Sequence, residues 1–290
     1  MAGDPKSAPP FVQETAAVLA HEPVSSRYFR LRLKSPQVAL RAQPGQFVML
    51  ACMPDAPLAS DPLLPRPLAI LDADPQAGTF ELLYFVAGRG TELLRRTAEG
   101  KAARLRVIGP LGKGFFPLPG VDAHIGVGGG SGVAPLVFFF RRWRGGSAEE
   151  RHLILAARSK AQLARPESVA APGVRLHEAT DDGSTGFKGH AVAALSALLD
   201  GPLQGRRVAL YVAGPEPMLE SAAKLARERN LPCRVSLEAR MACGVGVCRS
   251  CVVDGLVPHL KTGLLRRTIC QDGPVFNPCD LAGDGFAGKR

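Results

Sequence analysis

The hydrophobic period of this chain changes once, near Ala123, and that change limits the folds open to it. Before it, apolar side chains fall on alternate positions: Phe29, Leu31 and Leu33 alternate with Arg30, Arg32 and Lys34, and the period returns at Leu105-Arg106-Val107. A period of two sets one face of a strand on a core and the other in water. Further strand-like runs at 46–51, 67–71 and 79–86 are separated by turns such as Pro44-Gly45, the pattern of a small antiparallel barrel. From Ala123 onward, runs at 123–128, 152–157, 174–178, 208–213 and 234–237 alternate with helical stretches, which predicts βαβ units and a parallel sheet. The expected fold class is β plus α/β. Residues 1–10 read as a disordered tail, 11–117 as an antiparallel β-barrel, 118–232 as a Rossmann-like α/β domain and 233–290 as a small C-terminal domain.

Composition supports two cores and excludes several partners. The 290 residues are 46% hydrophobic and 21% charged, enough for two separately packed units. The most apolar stretch, 125–140, contains Pro135 and ends at Arg141-Arg142, too short for the ~20 continuous apolar residues of a membrane span. The net charge of +10 (36 basic minus 26 acidic residues) is spread along the chain without interleaved aromatics, so no nucleic-acid surface is expected. The N-terminus carries no secretion pattern, which points to the cytoplasm.

Seven cysteines, an odd number without regular spacing, argue against a disulfide framework. Three lie within MACGVGVCRSC at Cys243, Cys248 and Cys251, and a fourth follows at Cys270. Structural zinc favours paired C-x2-C knuckles. The order C-x4-C-x2-C…C is instead the plant-ferredoxin arrangement for a 2Fe-2S centre. Gly244 and Gly246 suit a loop that turns its amides toward sulfur. Cys279 is a rival fourth ligand, whereas Cys52 and Cys233 sit in apolar or strand-like surroundings and read as core residues.

Two glycine turns lie at strand-to-helix junctions. Gly126-Val127-Gly128-Gly129-Gly130-Ser131-Gly132 follows the first strand of the second half, and Gly214-Pro215-Glu216-Pro217-Met218 follows the fourth. Glycines there let the backbone approach a pyrophosphate held by a helix N-terminus. Both turns would face the crevice at the C-terminal edge of the parallel sheet.

A barrel ending in Gly109-Pro110-Leu111-Gly112, followed by these two turns, resembles the ferredoxin–NADP reductase superfamily. With the stretches SLEARMAC (236–243) and CQDGPVF (270–276), the chain is similar to one branch of it, the electron-transfer subunits of type B dihydroorotate dehydrogenase. The resemblance implies FAD at Arg66-Pro67-Leu68-Ala69, at Leu83-Tyr84-Phe85 and at Gly90-Thr91. Ala69 stands where the family has Ser or Thr, and Phe85 where an arginine is common. Taken by itself, Thr91 reads as the N-cap of a helix over 91–96. The resemblance also implies a pyridine nucleotide at Gly128, Gly129, Gly130, Gly132, Gly214, Pro215 and Met218, with Thr180-Asp181-Asp182-Gly183-Ser184 nearby. It points to NAD, although Arg158, Ser159 and Lys160 at the second strand's end would suit a 2′-phosphate.

The implied function is to pass electrons from the reduced FMN of a partner dihydroorotate dehydrogenase subunit through the 2Fe-2S cluster and FAD to NAD. The chain would form part of a hetero-oligomer in pyrimidine biosynthesis. No side chain is assigned as a catalytic acid or base, and His21, His124, His152, His177, His190 and His259 read as structural or exposed. A reductase subunit of a hydrogenase or ferredoxin-linked complex, and a zinc-stabilised nucleotide-binding regulator, are the alternatives.

Overall fold

The computed structural model describes residues 11–53, 61–100, 102–143, 149–256, 258–259 and 263–282; the tail expected over 1–10 lies outside the described residues. Six strands close into a barrel: β1 (Val12–Pro23), β2 (Tyr28–Lys34), β3 (Phe47–Leu50), β4 (Arg66–Asp74), β5 (Thr79–Phe85) and β6 (Arg104–Leu111), in the order β1-β2-β5-β4-β3-β6. Closure comes from β1, which pairs antiparallel with both β2 and β6 and so leaves no free edge. The alternation in β2 does what its period demands, with Leu31 and Leu33 fully buried and Arg30 reaching Glu81 at 2.7 Å. β1 lacks that sequence signal because its one buried position is the small Ala16. A short helix, α1 (Pro36–Arg41), buries Val38 and Ala39 against the barrel, and α2 (Arg89–Ala98) follows β5.

In the second half, β7 (Ala123–Gly129), β8 (Glu150–Ala157), β9 (Arg175–Thr180), β10 (Phe187–Lys188), β11 (Val208–Ala213), β12 (Cys233–Ser236) and the late strand β15 (Val275–Phe276) form one sheet, in the order β10-β9-β8-β7-β11-β12-β15. Its pairs are parallel except the last, where β15 returns antiparallel to β12. Helices α3 (Val133–Arg142), α4 (Pro166–Val169), α5 (Ala191–Asp200) and α6 (Glu216–Glu228) connect the strands. Every residue of β7 and β11 is buried, the continuous burial expected of a parallel sheet covered on both faces. The chain leaves β7 toward β8 on one side and reaches β11 on the other, so the strand order reverses between β7 and β11. Such a reversal opens a crevice at the carboxyl ends of the strands.

The two halves are fastened at the basic end of α3. Arg141 meets the Asp72 carboxylate of β4 at 3.0 Å, and Arg142 donates to the Ala73 carbonyl at 2.9 Å. The C-terminal segment contributes a two-stranded ribbon, β13 (Val252–Asp254) with β14 (Arg266–Thr268). It folds back on the barrel's last turn, where the Lys113 amide donates to the Gly273 carbonyl at 2.5 Å. Gly112, at φ +78°, permits that approach: a Cβ there would stand 2.6 Å from the Gly273 oxygen.

Candidate cofactor cleft and cysteine loop

The cysteine loop is seated on the barrel. Gly244 (φ +71°) lies against the Met49 side chain of β3, and Gly246 (φ +81°) against Gln271; a Cβ at either would overlap its neighbour. Both left-handed turns bend the backbone around the sulfurs. The amides of Val245 and Cys248 point at Cys243 Sγ, at 3.4 and 3.5 Å, and the Gly246 amide reaches the Cys270 sulfur. The four sulfurs fall into two pairs. Cys243 neighbours Cys248, and Cys251 neighbours Cys270, closely enough for each pair of sulfurs to influence one another. The Cys270 side chain beside it holds Cys251 down at about 6, and Cys251 in turn raises Cys270. Cys248 is also held at about 6, first by the Ser250 hydroxyl 3.1 Å away and then by the amide and side chain of the loop. Thiolates are the ligand form of cysteine.

No three His, Cys, Asp or Glu side chains among the described residues converge on one metal-ion position. Two sulfur pairs with inward amides suit a two-iron cluster better than a single tetrahedral ion. Cys279 lies elsewhere, exposed in a groove whose wall includes Cys233. Burial pushes Cys233 up to about 12 and also raises Cys52, so neither offers a ready thiolate.

Beside the loop is a largely apolar cleft of about 330 Å³ to which all three parts of the chain contribute. Pro67, Leu68 and Ala69 of β4 and Leu83 and Phe85 of β5 form its barrel wall; Gly132 and Gly214 form its sheet wall; Glu238 and Met241 lead to the cysteines. Tyr84 is not brought to this cleft. Alternation along β5 turns it into the barrel core, 1% exposed, where its hydroxyl meets His21 Nε2 at 2.8 Å. Arg66 and Gly90 come together at the N-terminus of α2, with the guanidinium lying directly on the glycine. Arg66 also donates to the Leu64 carbonyl at 2.7 Å. A fixed cation at a helix N-terminus is a setting for phosphate. Thr91 is not the N-cap expected from the sequence. The helix starts two residues earlier with Gly88 as cap, and Thr91 Oγ1 reaches back to accept from the amides of Ala87 and Gly88 at 3.0 and 3.2 Å.

A second cleft, of about 450 Å³, opens at the strand-order reversal. Gly129 and Gly130 form one side and Pro215 and Met218 the other, with Arg158, Asp181 and His190 at the far end. The two glycine turns touch: a Cβ on Gly129 would stand 2.8 Å from the Pro215 ring, and one on Gly132 would stand 2.5 Å from the Gly214 amide. Gly128 packs on Val133 at the start of α3. Asp182 caps its own turn by accepting from the Ser184 amide at 2.9 Å, which leaves Asp181 to the cleft. Tyr28 links the two clefts, since its hydroxyl abuts Gly130 and its ring lies 5.0 Å from that of Phe85.

Residues 238–281 match the family described as the iron-sulfur cluster binding domain of dihydroorotate dehydrogenase B. The "Dihydroorotate dehydrogenase B (NAD(+)), electron transfer subunit" of Desulforamulus reducens is 36% identical over 263 residues, covering 90% of this chain and 95% of that protein. The protein of the same name from Bacillus caldolyticus is 37% identical over 272 residues, with 91% and 96% covered. The chain belongs to the family of dihydroorotate dehydrogenase B electron transfer subunits. A solved structure of an NADH-dependent reduced ferredoxin-NADP oxidoreductase superposes with a TM-score of 0.78 at 26% identity, covering 93% of this chain and 91% of that one.

In this dihydroorotate dehydrogenase B electron transfer subunit a cation stands over Phe85, on the barrel wall of the first cleft. The Arg27 guanidinium lies 4.4 Å above the Phe85 ring and donates to the Val86 carbonyl at 2.7 Å. Sequence reading missed Tyr28 and Glu238 as cleft residues, and Arg27 as the cation over Phe85. For Glu238 a signal existed: it sits just beyond the carboxyl end of β12, on the sheet edge where ligands bind.

Proposed function

We propose that this electron transfer subunit takes electrons from the FMN-containing catalytic subunit of dihydroorotate dehydrogenase and delivers them, by way of a 2Fe-2S cluster and FAD, to NAD+ for pyrimidine synthesis. The observation that carries this reading is the shared cleft, in which barrel, glycine turns and the approach to the cysteine loop meet around one space. When bound, an iron-sulfur cluster supplies single electrons, a flavin converts between single electrons and hydride, and nicotinamide takes the hydride. The chain's residues hold and separate these groups.

Cys243, Cys248, Cys251 and Cys270 are the proposed cluster ligands, supported by the two sulfur pairs and the amides aimed at them. Pro67, Leu68, Ala69, Leu83 and Phe85 would flank the flavin ring, with Arg66, Gly90 and Thr91 at its phosphates. Gly128, Gly129, Gly130, Gly132, Gly214, Pro215 and Met218 would take the NAD pyrophosphate and nicotinamide side, and Asp181 the adenosine ribose. The proposed division is barrel over 11–117, nucleotide domain over 118–232 and cluster segment over 233–290. No helix of the described residues is long and apolar enough to cross a membrane, and a cytoplasmic site of action fits the nucleotide chemistry.

The test is a paired assay. The purified chain should show flavin and iron-sulfur absorption and oxidise NADH with an artificial dye, yet oxidise dihydroorotate only after the catalytic subunit is added. Zinc without flavin or iron, or dihydroorotate turnover by the chain alone, would overturn the reading.

A further inference from the structure

At the other edge of the parallel sheet, away from both clefts, a groove of about 450 Å³ opens where the end of α6, the start of β12 and the turn after β15 meet. That volume lies within the range of small-molecule sites, about 300–1,000 Å³. The charged side chains lining it are Arg227 and Arg234, and no carboxylate lines it. Arg229, two residues beyond Arg227, is held by Asp200 at 2.6 Å, whereas among the described residues neither Arg227 nor Arg234 has a carboxylate partner. Arg234 is anchored instead through the Cys233 carbonyl, to which it donates at 2.9 Å. Asn230 and Asn277 add amide groups, and the remaining walls are apolar.

Two sulfurs open on the same space. Cys233 is 5% exposed, its thiol makes no hydrogen bond among the described residues, and Arg234, Cys279 and Arg227 all act on its charge, which sets the two cations and the two sulfurs in one neighbourhood. Of the cysteines outside the proposed cluster set, Cys52 and Cys233 are buried and Cys279 is exposed. Asn277 fixes Cys279 at the groove by accepting from its amide at 3.1 Å. An accessible thiol in electropositive surroundings is the setting of a reactive cysteine. A reactant that used every feature of this groove would bring carboxylates for the guanidiniums, amides for the asparagines and sulfur for Cys279.

We propose that this groove is a modification site, where Cys279 forms a reversible mixed disulfide with a small anionic peptide thiol whose carboxylates rest on Arg227 and Arg234 and whose amides meet Asn230 and Asn277. The reactant is the disulfide form of that thiol. Cys279 gives up its proton, its sulfur bonds to one sulfur of the disulfide, and the S–S bond of the reactant breaks; the departing sulfur leaves as a thiolate and takes up a proton. Cys279 is oxidised and the departing half is reduced, so no further oxidant is required, and the free thiol reverses the exchange. Cys233, pushed up to about 12 by burial, stays a thiol and does not compete. The chain enters the cysteine loop from β12 and leaves it through β15 into this turn, so the adduct sits where the two ends of the cluster segment come together.

The test incubates the full chain with oxidised glutathione and, in parallel, with the uncharged disulfide of 2-mercaptoethanol, and locates the adduct by intact mass and peptide mapping. Each rate is divided by that of the same disulfide with an uncharged free cysteine derivative. Cys279 should then favour the anionic disulfide by about tenfold or more, as charge-assisted hydrogen bonds to two guanidiniums require, and Cys279→Ser should carry no adduct at that position. The variant with both Arg227→Gln and Arg234→Gln should lose the preference. No preference in the unaltered chain, or one that survives in the arginine variant, would overturn the proposal. So would an adduct confined to other cysteines, or the loss of two hydrogens without an adduct, which marks a Cys233–Cys279 disulfide. Should the double variant fail to fold, as read by its thermal melt, Arg227→Gln on the exposed face of α6 decides: a preference lowered by about threefold or more supports the proposal, and a smaller change overturns it. None of these outcomes depends on the electron-transfer reading, which the assays with the catalytic subunit test separately.

Discussion

Gly90, in the first turn of α2, carries the Arg66 guanidinium directly on its Cα hydrogens, so that a Cβ at this position would overlap the guanidinium itself. The cation is thereby held at the helix N-terminus, where backbone amides and a fixed positive charge would act together on an anion.

Gly90→Ala should therefore separate stability from binding. The obstruction is the far end of a flexible side chain, and alanine is a better helix former by about 1 kcal/mol, so Tm should hold or rise slightly. Displacing the guanidinium should weaken FAD binding about tenfold or more, as expected from a charge-assisted hydrogen bond of about 1.5–3 kcal/mol. Flavin fluorescence titration and thermal melts on one sample check both halves.

Arg27 over Phe85 makes a second prediction about the flavin. Arg27→Ala should lower FAD affinity several-fold, while Phe85→Arg in that background should restore part of it by returning the charge to β5. Titration of the single and double variants would show this compensation or its absence.

At the cysteine loop, Cys270→Ser should deplete iron and labile sulfide, because thiolates hold such clusters, and Cys279→Ser should leave both in place. Gly246→Ala should also lose iron with all four cysteines intact, since the added methyl meets Gln271 at a backbone angle of +81°. Iron and sulfide assays read all three.

At the second cleft, Asp181→Asn should reduce NAD affinity about tenfold and narrow the preference over NADP, because a carboxylate both accepts from a ribose 2′-hydroxyl and repels a 2′-phosphate. Arg158, which lines the same cleft, would then favour the phosphate. Dissociation constants for the two nucleotides give the ratio directly.

Stability should depend on pH through the buried and half-buried histidines. His21, His124, His152 and His177 are all held below the ordinary value of 6.5, first by burial, and His152 Nδ1 lies 2.9 Å from His177 Nε2. Below pH 6.5 the unfolded chain binds more protons than the folded one, so this contribution is full above that value and is lost as pH falls through and below it. Tm should fall between about pH 7.5 and about pH 5, and His177→Gln should flatten the decline.

What the sequence determined is what near neighbours along a chain can determine. Alternation in β2 requires a strand with one buried face, the apolar runs of β7 and β11 require a covered parallel sheet, and C-x4-C-x2-C sets three sulfurs on one short loop. Periodicity and spacing act over a few residues, and so does the steric freedom of glycine. β1 was the exception, because a strand whose buried position is an alanine carries no hydrophobic period to read. Only the tertiary structure decided which distant groups meet. It set Cys270 beside Cys251 and Cys279 beside Cys233, turned Tyr84 away from the cleft its neighbours line, and brought Arg27 over Phe85. It placed Glu238 at a cleft whose other walls come from β4, β5 and the glycine turns. These meetings follow from barrel closure and from the reversal of strand order between β7 and β11, which depend on the packing of whole elements rather than on any local pattern.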